Sequence, residues 1–372
     1  MVRMALIGAG GMGRKYAQMI SEGRIPSMSL TAVVARNDGA RAWAREKLGA
    51  GVQLFGSADA LFEAPDLYDA VLIVTPHKLH PELAVRAFEL GKHVFTDKPL
   101  GISVDQCRKM LDMAAATGKV FAVMYHQRRY RKFMRIKEIL ESGEIGTVRR
   151  VLLENSRYYR TKHYHHSSPW RSSWNGEGGG ALINQGQHIL DIWQWLFGMP
   201  EKLSANIPFG KYNNFEVDDE ASLFMDFKDG MTAVFLLTTG EGVWKERMVI
   251  AGSKGEILMD RDRLTITRFS EDLTDYSKTS DTNSREGIVS EVTQEEYPVT
   301  EEPYPEMLEN FAQAAENGTP LFAPGAEGIH ALELCNAAYY SAWTGQPVSF
   351  PFDWAAYERE YEEHCRSERS KE

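Results

Sequence analysis

Six residues near the start narrow the folding options more than any others: Gly8-Ala9-Gly10-Gly11-Met12-Gly13, a G-x-G-x-x-G pattern. The pattern follows an apolar run over residues 4–7 and precedes a helical pattern over residues 15–20. Strand, glycine turn and helix in that order fit a dinucleotide-binding start. The first glycine permits the tight turn, the second lets the backbone approach a pyrophosphate, and the third lets helix and strand pack closely. The free N–H groups and positive dipole end of the helix then hold the anion.

The rest of the first third repeats the strand–helix alternation. Residues 30–35, 69–75, 93–96 and 120–124 read as strands, and residues 40–48, 81–90 and 104–116 as helices. The strands are nearly all apolar, as expected where both faces are covered in a parallel sheet. After residue 125 the pattern changes. A helix over 133–142 precedes an alternating strand over 148–154, and a glycine run opens a long helix ending at Phe197. Strands at 221–227, 231–237, 247–251, 256–259 and 264–269 then follow one another, the first two joined by Lys228-Asp229-Gly230. Tight turns between consecutive strands indicate an antiparallel sheet. The expected architecture is an α/β Rossmann domain over 1–124. An α+β domain with a large, mostly antiparallel open sheet is expected over 125–372, for substrate binding and oligomerisation.

Residues 270–296 are rich in Ser, Thr, Asp and Glu and read as a long surface excursion. Helices are expected over 306–317 and 326–343. A charged tail over 354–369 sets Trp354, Tyr357 and Tyr361 at helical spacing, for packing on its own chain or on a partner subunit.

The length of 372 residues suits two domains, and the net charge of −10 argues against nucleic acid or an anionic membrane as partner. Cys107, Cys335 and Cys365 are few and far apart, with no disulfide or metal spacing. No leader pattern precedes the first strand and no apolar run reaches bilayer length, so a cytoplasmic location is expected. His163, His165 and His166 match no standard ligand pattern; they read as polar loop residues, and no metal is expected.

The second strand ends in Ala35-Arg36-Asn37-Asp38. An acid at this point accepts from the ribose 2′-hydroxyl of NAD, whereas an arginine pairs with the 2′-phosphate of NADP. Arg36 here favours NADP over NAD, with Asn37 beside it as a further cofactor contact. Asp38 supports NAD instead if the strand ends later.

At the end of another strand, Thr96-Asp97-Lys98-Pro99 places a lysine at the edge where parallel sheets bind ligands. Oxidising an alcohol needs a base for the hydroxyl proton, and a partly desolvated lysine beside a cationic nicotinamide suits that task. Pro99 biases Lys98 towards an extended backbone.

Three further stretches join this one in an order that covers nearly the whole chain. They are the glycine motif, Thr75-Pro76-His77-Lys78-Leu79-His80, and Gly178-Gly179-Gly180-Ala181-Leu182-Ile183-Asn184-Gln185-Gly186-Gln187-His188. Together they resemble the glucose-fructose oxidoreductase / inositol dehydrogenase / MocA-like family. The resemblance implies Lys98 and His188 as the catalytic pair. Asn184 stands where that family often has aspartate, which leaves it a positioning group rather than an acid or base. Residues 184 and 188 share one helix face, beside a buried stripe of Ile183, Gly186, Leu190, Trp193 and Phe197.

The same resemblance places Thr75, Pro76, His77, His80 and Asp97 at the cofactor. Trp170 and Arg171 resemble a cofactor-contacting pair. Tyr125 and Arg128, just after the sixth strand, become candidates for substrate hydrogen bonds or for hinging the domains, and Tyr158, Arg160 and Tyr164 candidates for substrate contact. The implied reaction moves hydride between NADP or NAD and a hydroxyl or keto carbon of a sugar, sugar derivative or cyclitol, in a homodimer or homotetramer. Two other readings share the fold. A redox-assisted glycosidase or lyase would retain its cofactor and give no steady release of reduced nicotinamide. A dinucleotide-sensing regulator would bind without turnover.

Overall fold

Apolar runs become strands enclosed on both faces: Ala70, Val71, Leu72 and Ile73 are all fully buried. In the computed structural model, which describes residues 1–368, the chain forms two compact units. The first comprises Met1–Arg128, Gly176–Gly178 and Glu302–Glu333. The second comprises Arg129–Asn175, Gly179–Glu301 and the chain from Leu334.

In the first unit, β1 (Val2–Ile7), β2 (Met28–Val34), β3 (Gln53–Phe55), β4 (Ala70–Ile73), β5 (His93–Thr96) and β6 (Phe121–Val123) form one sheet in the order β3-β2-β1-β4-β5-β6. Every pair is parallel. Strand order reverses between β1 and β4, and the crevice outside their carboxyl ends is where such sheets bind ligands. The sequence pattern missed β3 and the helix Ala58–Phe62, which at three and five residues are too short to show a period.

The segment Glu302–Glu333 folds with this unit, so the division at 124/125 into two continuous domains does not describe the packing. Its helix Tyr304–Asn317 sets Phe311 edge-on to Phe95, with ring centroids 5.2 Å apart. Glu309 accepts from Ser27 N at 3.1 Å and Ser27 Oγ at 2.6 Å. Arg128, expected at substrate, is 2 % exposed; it pairs with Glu327 at 2.5 Å and donates to Phe322 O. Tyr125, also expected at substrate, is buried with its hydroxyl directed at Gly328 O. Both side chains are spent in holding the returning segment, which corrects the expectation of substrate contact.

In the second unit, β7 (Val148–Asn155), β8 (Lys202–Asn206), β9 (Glu220–Asp226), β10 (Thr232–Thr238), β11 (Glu246–Gly252), β12 (Gly255–Asp260), β13 (Arg263–Phe269), β14 (Ser290–Glu296) and β15 (Val348–Ser349) form the second sheet. The order is β14-β13-β12-β11-β7-β10-β9-β8-β15, and only the β7–β10 pair is parallel. This is the mostly antiparallel sheet that the turn spacing implied. Its inner face meets the helix Gly186–Phe197, with Trp193 edge-on to Phe235. Its outer face carries Phe224, Val234, Leu152, Val249 and Leu258 in one register row. Phe224 and Leu152 are 52 % and 40 % exposed, which makes this an apolar surface.

Residues 270–296 are not one excursion. They contain the helix Leu273–Thr279 and the edge strand β14, paired along its length with β13. An exposed edge strand lacks the apolar run that marks an enclosed one, so its polar sequence hid it. The tail helix Trp354–Ser367 buries Trp354, Tyr357 and Tyr361 on its own chain, with Tyr357 stacked on Trp343 and Tyr361 bonded to Trp174 O. Arg369 of the expected tail lies outside the described residues.

Candidate active site

The glycine loop connects β1 to the helix Gly11–Ser21, which starts at Gly10 without a side-chain cap or an acid in its first turn. Its first N–H groups therefore need an acceptor from elsewhere. Gly8 has φ +113°, and a Cβ there would lie 2.3 Å from Val74 O. A Cβ on Gly13 would lie 1.9 Å from Gly8 O. In contrast, a Cβ on Gly10 or Gly11 would meet nothing within 4 Å. Two glycines thus hold the turn closed and two leave room above it. That division suits a pyrophosphate lying over Gly10, Gly11 and Met12, with Ala9 O occupied by Arg14 Nε at 3.1 Å.

At the end of β2, Arg36 is exposed. Asn37 caps the helix Asp38–Lys47 by accepting from Ala40 N at 2.8 Å. Asp38 is engaged by Arg41 at 2.7 Å, and Arg41 also donates to Ala35 O at 3.2 Å and Arg36 O at 3.3 Å. So the carboxylate that could favour NAD already has a cation, and a second arginine stands beside Arg36. The sequence reading missed Arg41; its i, i+3 spacing from Asp38 was the available signal.

Around β4 and β5, Thr75 Oγ1 and Thr96 Oγ1 are buried with no hydrogen-bond partner among the described residues. His77 is buried with Nδ1 3.1 Å from Glu177 O. His80 is fully buried, its two ring nitrogens each 2.9 Å from a carbonyl oxygen, of Thr75 and of Pro99. It therefore links the strand ends that carry Pro76 and Lys98 and is shut away from any ligand. The direct cofactor contact expected of His80 is corrected to a bracing role. Burial pushes the Asp97 carboxyl up, opposed by the Lys98 ammonium beside it. Asp97 Oδ1 accepts from Lys98 N at 2.8 Å, and Tyr16 OH lies 3.5 Å from Oδ2. Lys98 itself is half-buried.

In the second unit the long helix is assigned in two pieces, Ala181–Asn184 and Gly186–Phe197. Gln185 at their junction keeps helical dihedrals, φ −76° and ψ −37°, so residues 184 and 188 still share a face. From Ala181 to Gln194 every residue is buried except Asn184 and His188, which are half-buried. Ile183, Gly186, Leu190 and Trp193 of the expected stripe are buried, and Phe197 is half-buried.

Tyr164 lies in the short helix Lys162–His166, where a loop was expected. Its hydroxyl oxygen receives Arg171 Nη1 at 2.7 Å, Gln185 Nε2 at 2.9 Å and Asn184 Nδ2 at 3.1 Å. Arg160 lies over the rings of Tyr158 and Tyr164, with centroid distances of 5.0 and 4.0 Å. Arg171 lies over Tyr164 and Trp170 at 4.6 and 4.9 Å. Arg171, expected at the cofactor, is thus grouped with the residues expected at substrate. His165 is turned away to Ser172 Oγ at 2.5 Å and His166 to Lys162 O at 2.8 Å.

One anchor of this helix was not legible in the sequence. Asp218 is buried and accepts from Gly180 N at 2.8 Å, Leu182 N at 2.6 Å and Tyr339 OH at 2.6 Å. Burial pushes its carboxyl up to about 6, against those three hydrogen bonds. Between roughly pH 4 and 6 the folded chain keeps a proton that the unfolded chain has released, so stability falls as pH rises through that window. A carboxyl raised to about 6 by burial corresponds to about 3 kcal/mol. The stability difference between the native chain and Asp218→Asn, from urea denaturation at successive pH values, should shrink by about that amount across the window. A difference independent of pH would refute the raised carboxyl.

Residues 2–125 match the family described as an oxidoreductase family with an NAD-binding Rossmann fold, and residues 133–258 match the GFO/IDH/MocA C-terminal domain. An uncharacterized oxidoreductase of Streptococcus pneumoniae is 30% identical over 266 residues, 70% of this chain and 69% of that protein. A scyllo-inositol 2-dehydrogenase (NADP(+)) of Bacillus subtilis is 28% identical over 63% of this chain and 69% of its own length. Among solved structures, the WlbA dehydrogenase of Bordetella pertussis in complex with NADH and UDP-GlcNAcA has a TM-score of 0.77 at 22% identity, covering 95% of this chain and 99% of that one.

Proposed function

The chain belongs to the Gfo/Idh/MocA oxidoreductase family, and on that premise we propose that it moves hydride between NADP(H) and a hydroxyl-bearing carbon of a sugar, sugar derivative or cyclitol. The observation that carries this reading is the enclosed helix that leaves two polar residues half-buried, Asn184 and His188, one turn apart. Asn184 also braces the helix through Tyr164, but an amide and an imidazole together on the one open face of an enclosed helix suit hydrogen bonds to a hydroxylated substrate.

Lys98 takes the hydroxyl proton on oxidation and returns it on reduction, and His188 holds the same oxygen. Asn184 orients the substrate by hydrogen bonds. When bound, the nicotinamide accepts or donates the hydride. Gly10, Gly11 and Met12 receive the pyrophosphate over the turn that Gly8 and Gly13 hold closed, and Thr75 and Pro76 line the nicotinamide end. A screen of sugars and cyclitols against NADP and NAD, read by the absorbance of reduced nicotinamide, tests the proposal. No reduction with any of them would remove the dehydrogenase reading.

NADP preference rests on Arg36 and on Asp38 being held by Arg41. Arg36→Ala should weaken NADP(H) binding about tenfold and leave NAD(H) binding nearly unchanged. Equal losses for the two cofactors would refute the preference.

The apolar row on the outer face of the second sheet supports a homodimer or homotetramer. Leu152→Glu should yield a smaller species in sedimentation velocity; an unchanged sedimentation coefficient would place the interface elsewhere. No described helix is long and apolar enough to cross a membrane. Cys107 and Cys335 are buried free thiols, in keeping with a reducing compartment such as the cytoplasm.

A further inference from the structure

Residues 155–176 hold Arg157, Arg160, Lys162 and Arg171 and no Asp or Glu, in a chain of net charge −10. The fold gathers two of these cations on one ring, Arg160 at 4.0 Å and Arg171 at 4.6 Å from the Tyr164 centroid. Stacking occupies the faces of a guanidinium and leaves its N–H edge for an acceptor. Arg160 Nε is buried and has no hydrogen-bond partner among the described residues. A buried donor left in that state costs stability unless a ligand supplies the acceptor. The Tyr164 hydroxyl, with two lone pairs, already faces three N–H donors, so it does not offset this excess of donors. Through Asn184 the cluster is one hydrogen bond from the open helix face that carries His188.

We propose that the substrate carries an anionic group, a carboxylate or a phosphate ester, held by Arg160 and Arg171 while Asn184 and His188 meet its reacting hydroxyl. The inference rests on the dehydrogenase reading for the reacting carbon, but the anion subsite is testable by binding alone. Charged hydrogen bonds to a fixed guanidinium give both affinity and orientation. A neutral sugar offers only uncharged oxygens, whose hydrogen bonds to a guanidinium are weaker than those of a carboxylate or phosphate.

Isothermal titration of the full chain saturated with NADP provides the test, with glucose, glucuronate and glucose 6-phosphate as probes. At least one acidic probe should bind about tenfold or more tightly than glucose, and raised salt should reduce that margin. Glucuronate and glucose 6-phosphate distinguish a carboxylate from a phosphate ester. Arg160→Gln should remove the margin while leaving NADP(H) affinity unchanged, and Arg160→Lys should restore part of it. Arg171→Gln should act in the same direction, which covers the case in which one variant fails to fold. The proposal is overturned if neither acidic probe exceeds glucose. It is also overturned if Arg160→Gln weakens NADP(H) itself, because the arginines then serve the cofactor. Tight binding of an acidic probe without any reduced nicotinamide would sink the dehydrogenase reading and leave the anion subsite standing.

Discussion

Lys98→Ala should lower turnover by about 10²–10⁴-fold with NADP(H) affinity largely kept. The lysine sits half-buried after β5, next to a carboxylate that burial has already pushed up. On the proposed mechanism, removing its amine removes the group that takes up the hydroxyl proton. The glycine loop after β1 does not depend on it, so cofactor binding measured by fluorescence titration should persist. Lys98→Arg separates two explanations. Arginine retains the charge but does not release a proton, so it should be as inactive as alanine if proton transfer is the role. Recovery of turnover by arginine would assign Lys98 to charge alone, and full turnover in the alanine variant would end its part in the reaction.

The glycine loop offers the second large effect, because its glycines serve two different purposes. Gly13→Ala should destabilise the fold by several kcal/mol, since the new Cβ falls 1.9 Å from Gly8 O and backbone cannot rotate aside. Gly10→Val should leave thermal stability nearly unchanged, since its Cβ meets nothing within 4 Å and its φ of −80° suits any residue. That side chain nevertheless occupies the space over the helix N-terminus. NADP(H) affinity should therefore fall about 10–100-fold, the loss expected when charge-assisted contacts to the backbone are blocked. A Gly10→Val protein that binds NADP(H) normally would move the pyrophosphate away from this loop. A stable Gly13→Ala protein would contradict the close packing of the turn.

What was readable in advance was local. The glycine spacing implies a turn because its sterics are partly local: Gly8 has φ +113°, and a Cβ on Gly13 would lie 1.9 Å from Gly8 O, five residues before it. Lys98 followed a strand of known type, and Asn184 and His188 were one turn apart on a helix with a clear apolar stripe. Errors arose where the answer lay far along the chain. Tyr125 and Arg128 follow β6 and suited a ligand, yet Glu327 and Gly328 take them up from about two hundred residues away. Asp218 stands in a polar stretch with nothing to distinguish it, and its partners come from two distant places, Gly180 with Leu182 at one helix start and Tyr339 on a later helix.

By itself the sequence determined the alternation of the first unit, the mostly antiparallel second sheet and the dinucleotide turn, because periodicity and backbone sterics act over a few residues. Only the tertiary structure decided that 302–333 completes the first unit, that β14 is an edge strand rather than a loop, and that Arg160, Arg171 and Asn184 gather on Tyr164. Those outcomes depend on which distant surfaces fit and which buried donors find acceptors. That balance is summed over many weak contacts, and no short stretch of sequence encodes it.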